Sequence, residues 1–213
     1  MRLADLERPL GRRFARLATT AVVARPRAWR GFRWLMRWQF DRLAPTWSEL
    51  RRPEAFAALE EALAAIDTPP QRILDLGTGT GSAAFKAAQR FPEAEVVGVD
   101  VAERMLAEAR LQTPAELEQR VRFEVADGAA LPFGDREFDL VVLANAIPFF
   151  AELARVLSSG GRVLFSFSAG PETPIWVPPE RLRRELRARG FSDFADFEAG
   201  GGTALLARKT DSA

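Results

Sequence analysis

The sequence predicts an α/β fold: a doubly wound sheet of seven strands, mostly parallel, closed by an antiparallel C-terminal hairpin and preceded by N-terminal helices. Three observations carry this. Between residues 71 and 168, short apolar runs alternate with helix-length amphipathic stretches, the pattern of strands joined by crossover helices. A glycine-rich turn, "LGTGTG", leaves the first of these runs directly. The last two β-like runs, "FSDFADFEAG" and "TALLARK", are joined only through Gly200, Gly201 and Gly202, too short a connection for anything but an antiparallel pair.

Taken in order, residues 8 to about 43 read as two helices broken at Pro26. Phe14, Leu17, Trp29, Phe32, Met36 and Phe40 recur there at three- and four-residue spacing. A helix over 53–66 opens on Pro53, which suits a first helical position. Strands follow at 71–76, 95–100, 121–125, 138–144 and 162–168, with helices at 82–90, 102–112, 149–157 and 179–189. At 213 residues the chain suits one full domain with an appendage. The expected division is a basic, aromatic-rich helical extension over 1–52 and the main domain over 53–213.

Composition excludes much chemistry. The chain has no cysteine, histidine or tyrosine, which removes disulfides, thiolate and imidazole catalysis, phenol donors and the usual zinc sites. No metal is expected. No apolar run approaches the ~20 residues that span a bilayer. The first 25 residues lack an apolar core followed by a small-residue cleavage site, so a cytoplasmic location is the expectation. Abundant arginine with only Lys86 and Lys209 points to a GC-rich bacterial genome. Charge is segregated: residues 1–52 hold 13 arginines against the four acids Asp5, Glu7, Asp41 and Glu49, so the remainder is net acidic. Three readings of this segment stand: a solvated basic face whose aromatics pack on the main domain, a peripheral contact with an anionic membrane, or a nucleic-acid contact.

The stretch "ILDLGTGTG" ends a strand in a loop where the backbone can approach a ligand closely and the next helix offers free amides. Gly77 and Gly79 fit a dinucleotide fingerprint, but its third glycine is replaced by Ser82, and no Gly-Lys-Ser/Thr follows for a phosphate loop. Asp75, two residues before the first glycine, would repel a pyrophosphate and attract an ammonium group. Asp100 closes the second strand, where a carboxylate can accept both ribose hydroxyls. "FEVADGAALPF" places Asp127 at the end of the third strand, and "FDLVVLANAIPFF" runs the fourth to Asn145.

In this combination the sequence resembles the class I S-adenosylmethionine-dependent methyltransferases over roughly residues 40–209. "DLGTGTG" looks like the first motif, "GVDVAERML" the second, "ADGAALPF" with "FDLVV" the third and the start of the fourth, and "RVLSSGGRVL" the approach to the fifth strand. The resemblance implies a Rossmann-like sheet whose closing hairpin sets it apart from dinucleotide dehydrogenases. It implies S-adenosyl-L-methionine as cofactor. Asp75 and the backbone of Gly77, Thr78, Gly79 and Gly81 would hold the methionine end, and Asp100 the ribose. Val101 and Met105 would pack on the adenine, although plain core serves them equally well. Asp127 would accept from the adenine amino group beside the Gly128 backbone, and Asn145 would lie near the methyl-transfer face.

The sulfonium activates the methyl group, so the protein need mainly align an acceptor in line and exclude water. Asn145 and Asp41 are the catalytic candidates; should a proton have to leave, the available bases are carboxylates such as Asp41 or Glu172. Phe149 and Phe150 stand where many small-molecule members carry histidines. Asn145-Ala146-Ile147-Pro148 departs from the Asn-Pro-Pro-aromatic signature of members that methylate amide or base nitrogens, which argues against a nucleic-acid acceptor. The N-terminal helices and the "PETPIWVPPE" loop are expected to close a pocket built from Trp29, Phe40, Trp47, Phe149, Phe150 and Trp176. Such walls favour a small hydrophobic acceptor, lipid-like as a quinone is, or another secondary metabolite. The alternative is a methyltransferase-like protein that binds cofactor, nucleic acid or a partner without catalysis; intact Asp75, Asp100 and Asp127 weigh against a degenerate cofactor site.

Overall fold

The computed structural model of the chain describes residues 3–47 and 53–210. The expected boundary between the extension and the main domain borders 48–52 and lies outside the described residues. Two helices open the fold, α1 (Leu3–Ala24) and α2 (Trp29–Trp47), separated by a single 3-10 turn at Pro26–Ala28. Helix α2 runs past Pro45, which costs it one hydrogen bond in its last turn. That turn is held instead by Ala44, buried with Ala102 and Met105, and by Trp47 packing edge-on against Phe40 at 5.5 Å. A 3-10 turn at Pro53–Phe56 leads into α3 (Ala57–Ala64), so the helix expected over 53–66 begins tighter and ends two residues sooner.

The alternation then appears as read: β1 (Arg72–Leu76), α4 (Ser82–Arg90), β2 (Glu95–Asp100), α5 (Glu103–Leu111), β3 (Val121–Val125), β4 (Phe138–Ala144), α6 (Phe150–Val156) and β5 (Leu157–Phe167). Helix α7 (Pro179–Arg187) precedes the hairpin of β6 (Phe191–Ala199) and β7 (Gly202–Lys209). Strand β5 starts five residues ahead of expectation. Leu157 pairs with Phe138 and Arg162 with Leu140, so 158–161, which read as a turn, are accommodated as an irregularity inside the strand.

The strand order is β3-β2-β1-β4-β5-β7-β6, with β7 inserted antiparallel between β5 and β6. The winding reverses between β1 and β4, which are parallel neighbours, and a crevice opens beyond their carboxyl ends. Period-two alternation builds the two faces. Ile73, Val96, Leu140 and Leu164 pack under α3, α4 and α5, whereas Leu74, Val97, Val141 and Phe165 pack under α6 and α7. A third cluster sits over the crevice itself: Ala15, Ala18, Val22, Trp29 and Met36 of the N-terminal helices meet Ile147, Phe149 and Ile175. Arg12 and Arg16 fasten α1 to this end of the sheet, donating to the carbonyls of Glu172, Pro171 and Thr173.

Candidate functional site

The glycine loop after β1 is held by backbone geometry that L side chains resist. Gly77, Gly79 and Gly81 all take positive φ, at 72°, 54° and 81°. A Cβ on Gly77 would stand 2.6 Å from Ala146 Cβ, and one on Gly81 would meet the Phe85 and Phe123 rings at 2.8 Å. Gly77 N and Thr78 N both donate to Val99 O, at 2.8 and 3.0 Å, tying the loop to the neighbouring strand. Beneath it Asp75 is fully buried, and Thr78 Oγ donates to its Oδ2 over 2.6 Å. Gly98 in β2 makes room for this arrangement: a Cβ there would lie 2.7 Å from Thr78 Oγ and 2.6 Å from the Phe123 ring. A glycine inside an apolar strand was the signal for it in the sequence.

Asp100 joins the second strand to the loop. Its Oδ2 accepts from Gly79 N at 3.0 Å and its Oδ1 from Ala102 N at 2.9 Å. Burial pushes its carboxyl above the ordinary value, against the backbone donors of Ala102, Gly79 and Val101, and nearby Asp41 adds to the rise. Asn145 ends β4 at φ 56°, a conformation asparagine tolerates. Its amide accepts from Ser168 N at 2.9 Å and donates to Ser168 Oγ at 3.1 Å, locking the tips of β4 and β5 together.

These elements surround one cavity of about 100 Å³. The structure brings to it Gly77, Gly79, Asp100, Val101, Met105, Gly128 and Asn145, together with Trp29, Phe40, Trp47 and Phe149. Met36, Ile147 and Ile175 line it as well. The sequence marked Met36 only as one position of a helical stripe, and nothing local marks Ile147 or Ile175. Among the described residues lining the cavity, Asp100 is the one ionisable side chain. Gly128 is required by crowding: a Cβ would reach the Phe149 ring at 2.8 Å and Leu76 at 3.0 Å. A larger groove of about 410 Å³ at the opposite end of the sheet is polar, with Ser158, Ser159 and Arg162 in its wall, and holds none of the residues expected to bind cofactor or acceptor.

Four expected residues are placed elsewhere. Phe150 turns into the core of the α6–α7 face, 6.4 Å from the Phe165 ring, because α6 begins at this residue and points it inward. Trp176 packs against that same core rather than on the cavity. Asp41 is drawn to α5, where its Oδ1 accepts from Arg104 N at 2.9 Å, and Arg37 lies 3.5 Å from its Oδ2. Glu172 sits on the 170–175 loop, where its carbonyl takes the Arg12 bond. Asp127 stands at the rim and is engaged: Trp29 Nε1 and Ala129 N donate to Oδ1 at 2.7 and 2.9 Å, and Arg33 to Oδ2 at 2.8 Å.

Comparison with known proteins places this arrangement. Residues 73–164 match the profile of a methyltransferase domain family. The chain is 43% identical over 147 residues to a demethylmenaquinone methyltransferase of Thermus thermophilus, an alignment that takes in 62% of this chain and 66% of that protein. It is 34% identical over 178 residues to a demethylmenaquinone methyltransferase of Deinococcus radiodurans, covering 63% of this chain and 72% of the relative. A solved methyltransferase from Aquifex aeolicus superposes with a TM-score of 0.64 at 18% identity, over 76% of this chain and 95% of that one, and shares its fold.

Proposed function

The chain belongs to the class I S-adenosylmethionine-dependent methyltransferases, and from that premise we propose that it methylates a small apolar acceptor of the quinone type by in-line displacement. The observation that carries the acceptor class is the wall of the cavity: Trp29, Met36, Phe40, Trp47, Ile147, Phe149 and Ile175 offer apolar surface, with Asp100 as the lone ionisable group among the described lining residues. Both relatives described above act on a demethylmenaquinone by name, which fits such walls. Another apolar secondary metabolite is the second acceptor class the walls admit.

The residues present suit the cofactor. Gly77 and Gly128 leave backbone open where any Cβ would collide, and Asp100 presents a half-buried carboxylate to a ribose. When bound, S-adenosylmethionine supplies a methyl group activated by its sulfonium. In this reading Asp75 and the 77–81 loop set the position of its amino-acid end, Asp100 accepts from the ribose hydroxyls, Val101 and Met105 flank the base, and Asn145 lines the face where transfer occurs. Trp29, Phe149 and Ile175 exclude water and hold the acceptor. With no carboxylate but Asp100 among the described residues of the wall and no histidine in the chain, the acceptor carries its own nucleophile, as an electron-rich hydroquinone ring does. Asp41, held at α5, lies off the cavity wall.

In this reading α1 and α2, which pack over the crevice, move to admit cofactor and acceptor. Because acceptors of this class reside in bilayers, the reading includes a peripheral membrane contact through those basic helices.

Calorimetry with S-adenosylmethionine and S-adenosylhomocysteine, followed by transfer of a labelled methyl group to a panel of reduced quinones and polar controls, tests this. Micromolar cofactor binding with label appearing on the quinones is expected. Binding with no transfer to any apolar acceptor would return the chain to the non-catalytic alternative, and transfer only to polar acceptors would overturn the acceptor class.

A further inference from the structure

We propose that the outward face of α1 and α2 is a docking surface for an anionic lipid bilayer. Six large hydrophobic side chains stand exposed among the described residues, and four belong to these two helices: Leu10 at 62% and Leu17 at 61% on α1, Trp34 at 73% and Trp38 at 49% on α2. Isolated exposed apolar residues are ordinary, whereas a group of this size on adjoining helices marks an interaction site.

Helical periodicity puts all four on one side of the molecule. Helix α1 buries Ala15, Ala18 and Val22, and Leu10 and Leu17, seven residues apart, share the opposite face. Helix α2 buries Trp29 and Met36, and Trp34 and Trp38, four apart, again lie opposite. The helices meet side by side, with the Phe14 and Phe32 rings 5.8 Å apart and Gly11 against Gln39. Both press their buried faces onto the main domain, so both outward faces look the same way.

Charge decides the occupant. Arg30, Trp34, Trp38 and Arg42 follow one another at four-residue spacing, and the Arg42 guanidinium lies 5.6 Å over the Trp38 ring. Arg13, Arg25, Arg27 and Arg30 are exposed, and none of their side chains makes a hydrogen bond or ion pair among the described residues. The one acid of α2, Asp41, is spent on Arg104 N. A second copy of the chain on this face would set rows of arginine against each other. A nucleic acid would leave Leu10 and Leu17 in water. A bilayer of anionic lipid satisfies both sets at once, since tryptophan and leucine enter the headgroup and acyl boundary while arginine pairs with phosphate. No helix among the described residues is long and apolar enough to cross a membrane, so the contact lies on the surface. The inference rests on the quinone-type reading: α2 lines the pocket with Trp29, Met36 and Phe40 on its inner face and turns Trp34 and Trp38 to the bilayer that holds such acceptors.

The test is co-sedimentation of the full chain with vesicles of equal parts phosphatidylglycerol and phosphatidylcholine, and with phosphatidylcholine alone, at low and high salt. S-adenosylhomocysteine binding is measured on the same preparations. Wild type should partition onto the anionic vesicles and be weakened by salt and by neutral lipid. Trp34→Ser with Trp38→Ser should lower partitioning about tenfold or more, and Arg13→Gln or Arg30→Gln about fivefold each, with cofactor binding unchanged. Wild type that binds the nucleoside but ignores anionic vesicles would overturn the surface, as would a double serine variant that partitions like wild type. A solution dimer dissociated by the serine substitutions would assign the face to a second copy and overturn it too. Vesicle binding without nucleoside binding would support the surface and strike the cofactor reading instead.

Discussion

Trp29 Nε1 donates to Asp127 Oδ1 over 2.7 Å, and Arg33 closes on the other oxygen at 2.8 Å, so α2 is latched onto the carboxylate that the family resemblance assigns to the adenine amino group. The same indole packs edge-on against Phe149, 5.4 Å between centroids. Helix α2 and the Asp127 carboxylate are therefore one hydrogen-bonded unit.

Arg33 is more than half exposed, so its ion pair contributes little to the fold, about 0–1 kcal/mol. Arg33→Ala is expected to leave the melting temperature nearly unchanged while speeding S-adenosylhomocysteine association and release several-fold in stopped-flow measurements. Trp29→Phe, which keeps the ring but removes the donor, should act in the same direction. Exchange rates unmoved by both substitutions would show that the latch does not gate the site.

Asp100→Ala should weaken cofactor binding roughly tenfold to a hundredfold, the range set by losing a charged acceptor of two hydrogen bonds. The pH dependence follows from the raised carboxyl. A ribose needs the ionised form, so affinity should fall as pH drops through a value above the ordinary 3.8. For the ligand-free fold the sign is opposite: the group's stabilising contribution is complete below 3.8 and is lost as pH rises through the elevated folded value. Calorimetry and thermal melts over an acid series, compared with Asp100→Asn, separate the two effects; a wild-type binding curve flat down to 3.8 would contradict the assignment.

Two glycine substitutions should move stability in opposite directions. Gly77→Ala adds a Cβ 2.6 Å from Ala146 at a φ of 72°, costing about 1–3 kcal/mol and narrowing the cleft. Gly31→Ala, in α2 with nothing within 4 Å of the added carbon, should stabilise by about 0.5–1 kcal/mol. Melting temperatures should shift by about 2–4 °C per kcal/mol in a chain of this size.

Arg155 ties α6 to the loop at 131–133: it donates to Phe133 O at 2.7 Å, Leu131 O at 3.1 Å and both oxygens of Glu152. Arg155→Met is expected to cost about 2 kcal/mol and to lower the melting temperature by about 4–8 °C. Arg155 beside it, through its hydrogen bonds, holds the Glu152 carboxyl below the ordinary 4.5. That contribution is present above 4.5 and disappears as pH falls through the lowered folded value. Urea midpoints across this window should converge for wild type and variant at the acid end.

The sheet was legible because its determinants are local and repeated. Apolar runs such as "RILDL" and "FDLVVLA" are buried on both faces and need no distant partner to be recognised, and the triple glycine after β1 announces positive φ within five residues. The start of β5 was not legible, since Gly160 and Gly161 look like a turn and only pairing with β4 draws 158–161 into the strand. The pocket was legible in part. Trp29, Phe40, Trp47 and Phe149 reach it, while Phe150 and Trp176 do not, because one residue's rotation at a helix start or in a loop decides which side a ring faces.

By itself the sequence determined the order of elements, the antiparallel hairpin and the sites of Asp75, Asp100, Asp127 and Asn145 at strand ends, all consequences of short-range periodicity and of glycine's freedom. Tertiary structure alone decided that Asp41 caps α5 rather than serving the pocket, that Ile147 and Ile175 complete its wall, and that Trp29 and Arg33 close on Asp127 from 98 and 94 residues away. Those relations depend on how the N-terminal helices dock across the crevice. Docking is set by the summed packing of Ala15, Ala18, Val22 and Met36 against side chains more than a hundred residues distant, which no local pattern encodes.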